Sequence, residues 1–101
     1  MAAALFGMSI AALASAGASP VDIAAHASQI AAGRWSARQA AAHYLRRIHR
    51  LNTAGPALHA IIETNPDALR IAARLDAAPG PHGPLHGVPI ALKDNIDTAD
   101  R

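Results

Sequence analysis

GPLHGVPIALKDNIDT, residues 83–98, is the stretch on which the interpretation of this chain depends. It contains Lys93, the only lysine among the 101 residues, at the end of a short apolar run. Gly83, Pro84 and Gly87 precede that run, and glycine and proline shape turns because one permits and the other restricts backbone angles. The stretch therefore predicts a turn, followed by a short strand over Val88–Leu92 that leads to the lysine.

The neighbours of Lys93 bear on what its amine can do. If residues 90–95 are extended, alternation places Lys93 on one face of the strand and Asp94 on the other. An adjacent carboxylate would hold the amine charged, whereas desolvation lowers a lysine pKa from about 10.4 towards values at which it acts as a base. Spacing alone leaves two interpretations open, a catalytic base and an ordinary surface lysine.

Composition sets limits on the fold. Apolar residues make up 51% of the chain, which excludes a disordered protein, but 27 residues are alanines that bury little surface. We therefore expect a chain that is not a self-sufficient folded unit. The absence of cysteine excludes disulfide scaffolds, zinc–thiolate sites and cysteine nucleophiles, and a net charge of +2 is weak support for a nucleic-acid partner.

Residues 1–19 carry no charged side chain. Their apolar part is too short to cross a bilayer as a helix, and Ala14-Ser15-Ala16 is a small-x-small cleavage pattern. This predicts a secretory signal peptide and a periplasmic or secreted protein with no membrane partner. A basic residue near the start is missing, so the alternative is a disordered, alanine-rich leader on a cytoplasmic protein.

Three helices are predicted from capping signals. The first starts with Ser19 as N-cap and Pro20 at its first position, and ends at Gly33. The second starts at the capping box Ser36–Gln39, with Trp35 as a staple against Ala40. Its predicted buried face consists of Ala41, Tyr44, Leu45, Ile48 and Leu51, opposite a basic face of His43, Arg46, Arg47 and Arg50.

The third helix follows a predicted buried strand over Ala57–Glu63, and it takes Asn65 as N-cap and Pro66 as its first residue. Residues 77–84 are predicted to be a loop. His82 and His86 are spaced like helical metal ligands but lie in or beside this loop, without acidic or cysteine partners nearby, so no metal site and no cofactor are predicted.

The sequence from Gly83 to Thr98 resembles the first conserved block of the amidase signature family. Three features upstream, Tyr44–Ile48, the segment Leu58–Glu63 and the helix start at Asn65-Pro66-Asp67, are similar to that family in the same order. The resemblance covers residues 20–101 and implies an α/β fold, with the N-terminal helices and first strands of a mixed sheet. Residues 20–101 are accordingly expected to be the truncated N-terminal part of an amidase domain.

The resemblance also implies a chemistry, the hydrolysis of a carboxamide by a Ser, cis-Ser, Lys triad. Lys93 matches the catalytic lysine, the base that takes a proton from the bridging serine, while Asp94 and Asn95 are expected to support the strand end. In the family both serines lie downstream of this block, so the chain is expected to be inactive alone. The expected substrate is a small-molecule or peptide amide; the oligomeric state is left open.

A second function is compatible with part of the sequence. Residues 20–51 could form a small basic helix-turn-helix DNA-binding module whose arginine face meets phosphate. That alternative leaves the strand, the proline-rich loop and the Lys93 block unexplained.

Overall fold

The computed structural model describes residues 22–99, which form three α-helices and connecting segments. Helix α1 spans Ile23–Ala31, α2 spans Ala37–Ile48, and α3 spans Ala68–Ala77. A π-helical turn, His49–Thr53, extends the C-terminal end of α2. The predicted signal peptide, residues 1–19, lies outside the described residues. None of the helices between residues 22 and 99 has the length and apolarity that crossing a bilayer requires.

Local capping signals explain where the helices begin. The Ser36 side chain accepts from the Gln39 amide, and the Gln39 side chain accepts from the Ser36 amide, so the predicted capping box of α2 is confirmed. Helix α1 is capped by the Asp22 carboxylate, which accepts from the Ala24 amide, and not by Ser19 as predicted. Asp22, three positions after Ser19, supplies the same kind of cap to an amide further along the chain, so α1 begins later than expected.

Helix α3 also begins later than predicted. Asn65 Oδ1 accepts from the Asp67 amide, which forms a turn ahead of the helix, and the N-cap position is Asp67. Asparagine commonly bonds to the backbone two residues on, so the same side chain that predicted the cap makes a turn one step earlier. The predicted end of α1 is confirmed, because Gly33 has a φ of 70° immediately after the helix.

The core is small and consists mainly of alanine. Helices α2 and α3 pack through Ala37, Ala41 and Ala72, with the half-buried Leu69 and Leu75 against them. No large side chain among residues 22–99 is fully buried. Because each buried methyl group contributes only about 0.8 kcal/mol, the polar links between these helices matter more than usual.

The two predicted strands are absent from the described residues. Segment 57–63 is irregular and mostly exposed, with Leu58 61% and Ile62 80% exposed and a positive φ at Ala57 and His59. Segment 88–92 likewise has no strand partner, and Ile90 is 74% exposed. A strand exists only through hydrogen bonds to another strand, which residues 22–99 do not supply, so this part of the chain is helical and shows neither predicted strand.

Candidate functional site

Lys93 lies in the exposed segment 90–99, at the start of a tight turn. The Ile96 amide donates to the Lys93 carbonyl at 3.0 Å, so the backbone turns back just where the predicted strand would end. Lys93 is exposed and lines neither of the two cavities that flank the helices. The amine therefore lies at the surface, and the turn that precedes it in the sequence, residues 83–88, makes more contacts with the helices.

The part that is held firmly is the turn at residues 83–88. The His86 amide donates to the Gly83 carbonyl and the Val88 amide to the Leu85 carbonyl, each at 3.1 Å, which makes two overlapping turns. The His86 ring reaches back to α3, where its Nε2–H donates to the Leu75 carbonyl at 2.8 Å. This bond fixes the tautomer, because a carbonyl only accepts. The turn before Lys93 is therefore tied to the C-terminal end of α3.

Gly87 brings this turn into direct contact with α2. Its φ is 78°, and a Cβ added there would lie 2.8 Å from the Ala37 Cβ and 3.2 Å from the Ile30 Cγ2. Only glycine combines that backbone angle with so close an approach. The predicted shaping role of this glycine is confirmed, and the structure adds the surface against which it packs, the corner between α1 and α2.

Asp76 links α3 to α2 through a polar contact that the sequence does not reveal. Its Oδ1 accepts from the Ala37 amide at 2.7 Å and its Oδ2 from the Arg38 amide at 3.0 Å. Both amides belong to the first turn of α2, where helical amides lack internal partners and negative charge is favourable. One carboxylate at the end of α3 thus caps the start of α2.

The described serines are engaged by their own helices. Ser28 Oγ donates to the Ala24 carbonyl at 2.8 Å, and Ser36 Oγ accepts from the Gln39 amide at 3.0 Å. Within residues 22–99, therefore, both serines serve local helix structure and neither has the surroundings of a nucleophile. The remaining serines, Ser9, Ser15 and Ser19, lie outside the described residues.

Cavities flank the helices within residues 22–99, and two of them bear on the site. One of about 240 Å³ is apolar and lies between the end of α2 and segment 58–61, where Tyr44, Ile48 and Leu58 line it. Asn52 closes it by bonding both backbone groups of Ile61, each at 2.8 Å. The other, of about 580 Å³, lies between α1 and the turn at residues 83–88 and includes His82 and Asp76.

A cluster of rings lies where α1 meets α2. His26 is 6% exposed, packs edge-on against Trp35 at 4.6 Å, and lies 5.6 Å from Tyr44. Burial, with a smaller contribution from nearby His43, lowers the pKa of His26 below its ordinary value. Trp35 thus packs within a ring cluster, and no group of three potential metal ligands converges anywhere in residues 22–99.

Comparison with known proteins assigns this sequence to a family. A family model described as Amidase matches residues 40–101, more than half of the chain, and this range includes α3, the turn at residues 83–88 and Lys93. The chain belongs to the amidase family. Membership confirms the resemblance inferred from the Lys93 block.

Curated amidase relatives support the assignment. A probable amidase of Arabidopsis thaliana is 44% identical over 73 residues, covering 67% of this chain and 14% of the relative. A glutamyl-tRNA(Gln) amidotransferase component of Thiobacillus denitrificans is 47% identical over 76 residues, covering 72% and 15%. A putative amidase of Schizosaccharomyces pombe is 44% identical over 61 residues, covering 57% and 10%.

This amidase chain therefore spans about a seventh of the length of such relatives. No solved structure matches it. The helix-turn-helix alternative receives no support from the family model or from these relatives.

Proposed function

We propose that the complete protein carrying these residues hydrolyses a carboxamide, and that Lys93 is the general base. The observation that carries the proposal is position: the only lysine of the chain lies within the matched range 40–101, directly after the turn that α2 and α3 hold. A surface lysine with no catalytic role does not require that the turn before it be fixed to two helices.

In the proposed reaction the neutral Lys93 amine takes a proton from a bridging serine, which takes one from a nucleophilic serine. The nucleophile attacks the amide carbon, the carbon–nitrogen bond breaks, and the nitrogen leaves with a proton as ammonia or an amine. Water then cleaves the acyl–serine ester and restores both serines. Ser28 and Ser36 are committed to helix backbone, so we assign both reacting serines to sequence outside residues 22–99.

The finer fold is part of the same proposal. We infer that segments 57–63 and 88–95 become strands of a mixed sheet when the complete domain supplies partner strands. Support comes from their exposed apolar side chains, with Leu58, Ile62, Ile90 and Leu92 all more than half exposed. Such surface is costly for a soluble protein unless another part of the fold covers it.

The proposal also includes a class of substrate and a location for the protein. The substrate is a small-molecule or peptide amide, and residues 1–19 direct export to the periplasm or beyond. Sequencing the N-terminus of the mature protein from producing cells tests the second point, since a start after Ala16 or Ala18 indicates cleavage and an intact Met1 argues against it.

The test of the function uses the complete protein and a panel of simple amides, such as benzamide, propionamide and a peptide C-terminal amide, with ammonia release as the readout. We expect turnover of at least one amide and its loss in a folded Lys93→Ala variant. Wild-type turnover in that variant would refute the role of Lys93. Hydrolysis by residues 1–101 alone would refute the expectation that this stretch is inactive by itself. If that hydrolysis persisted after Ser9, Ser15 and Ser19 were all replaced by alanine, it would refute the assignment of the serines to sequence outside residues 22–99.

A further inference from the structure

We propose that His86 positions Lys93 by fixing the point from which its segment leaves the helices; this rests on the proposed function of Lys93. The half-buried ring donates to the Leu75 carbonyl at 2.8 Å, across 11 positions of the chain. Among residues 22–99, this is the side-chain hydrogen bond that joins the turn at residues 83–88 to a helix.

The acceptor of this bond is itself held in place. Leu75 precedes Asp76, whose carboxylate caps the first turn of α2 through two amides. The bond from His86 therefore ends at the junction of two helices and not at a fraying helix end. Gly87, the next residue, packs against Ala37 of the same first turn. Two contacts therefore hold the turn: the hydrogen bond from His86 attaches it to α3, and the packing of Gly87 attaches it to α2.

The residues after these two contacts are progressively less buried. Residues 86–89 are half-buried, and every residue from 90 to 99 is exposed. Val88 is held by its bond to Leu85, and Lys93 follows it by five positions. If both the His86 bond and the Gly87 packing are lost, the nearest upstream residue held in a helix is Ala77, the last residue of α3, sixteen positions before Lys93.

The change in tether length sets the size of the effect. A flexible chain spans about 5–6 Å times the square root of its length, which gives roughly 12 Å for the short tether and roughly 22 Å for the long one. Effective concentration falls roughly as the −3/2 power of length, so an amine on a fully flexible segment would meet its reaction partner about sixfold less often, which is the upper limit for the complete domain, where the proposed sheet also holds Lys93. His86 is thus a positioning residue that acts through the backbone of residues 87–92.

A distance measurement tests whether the His86 bond fixes the position of residue 93, and it does not require an active enzyme. The chain has no cysteine, so nitroxide labels on Ala73→Cys, an exposed site on α3, and Lys93→Cys report one distance by pulsed electron resonance. His86→Phe keeps an aromatic ring beside His82, whose ring stacks at 3.7 Å, but cannot donate to Leu75. We expect it to broaden the distance distribution, by at most about 1.8-fold because Gly87 still packs against Ala37, and His86→Gln, whose amide donates, to restore it.

His82→Phe is the matched control, since it alters the stacked partner and leaves the bond to Leu75. An unchanged distribution in His86→Phe would overturn the proposal, as would equal broadening in His82→Phe. Far-UV circular dichroism verifies the helices, and His86→Leu serves as a second non-donating variant if His86→Phe does not fold.

Kinetics of the complete protein supply the second arm, with benzamide or whichever simple amide is turned over. We expect His86→Phe to lower kcat with KM unchanged, by less than the roughly sixfold loss of a fully flexible segment because the proposed sheet also holds Lys93, and His86→Gln to recover it. A broadened distance with wild-type kcat would refute positioning while leaving the proposed function intact. Wild-type kcat in Lys93→Ala would instead refute the proposed function, and with it any catalytic meaning of His86.

Discussion

Replacing Asp76 by alanine is the perturbation that most sharply tests how this small domain is held together. The carboxylate accepts from the Ala37 and Arg38 amides at 2.7 and 3.0 Å and joins α3 to the start of α2. Ala37 is 1% exposed, so its amide has little access to water as a substitute partner once the carboxylate is gone. The Arg38 amide, whose bond is exposed, is hydrated more easily.

The magnitude follows from these two bonds. A hydrogen bond to a charged group contributes about 1.5–3 kcal/mol, and we take the lower value for the partly buried bond because Asp76 is an exposed residue. The exposed bond and the favourable charge at the helix start add about 0.5 kcal/mol together. We therefore expect Asp76→Ala to lower the free energy of unfolding by about 2 kcal/mol. The alanine-based core offers little to offset such a loss.

Urea unfolding followed by far-UV circular dichroism measures this change. Asp76→Asn, which keeps one acceptor oxygen, is expected to lose about half as much. Asp97→Asn, in the exposed segment 90–99, removes the same charge without touching a helix and is the control. The reasoning is refuted if Asp76→Ala stays within about 0.5 kcal/mol of the wild type, or if Asp97→Asn is destabilised to the same degree.

Two further predictions concern buried polar groups. Because the pKa of His26 is lowered in the folded chain, the unfolded chain binds more protons below about pH 6.5, and the free energy of unfolding falls with falling pH. The test compares urea midpoints at about pH 7.5 and 5.5, on either side of that value. The difference between the two midpoints should be smaller in His26→Phe than in the wild type, and an equal difference would contradict the prediction. Asn52→Ala removes both bonds to Ile61 and should speed hydrogen exchange of the Ile61 amide. Asn52→Asp keeps the acceptor and should leave that amide protected; equal exchange in both variants would argue against the role.

The features predicted correctly from the sequence are those determined by nearby residues. The capping box at Ser36 and the glycine that ends α1 involve residues a few positions apart, so the local pattern contains all the information they need. Gly87 is predictable as a turn residue for the same reason. The late starts of α1 and α3 show the limit of such signals, because several adjacent residues can serve as the cap.

The errors and omissions depend on distant parts of the chain. Segment 57–63 has strand-like composition, but whether it forms a strand is decided by a partner that residues 22–99 do not contain. The bond from Asp76 to Ala37 joins positions 39 apart, and the bond from His86 to Leu75 depends on how α3 packs. Family resemblance, in contrast, is readable from the Lys93 block, since its residue order is specific.

Chemical rescue tests the central claim, that Lys93 is the base in amide hydrolysis, most directly. In the complete protein, Lys93→Ala removes the amine from an exposed segment and should leave the fold unchanged. If the amine acts as a general base, added methylamine or ethylamine should restore part of the lost turnover, measured as release of the carboxylic acid, and more so for the more basic amine. Loss of turnover with such rescue is the predicted result. Full turnover in Lys93→Ala without any added amine would contradict the account.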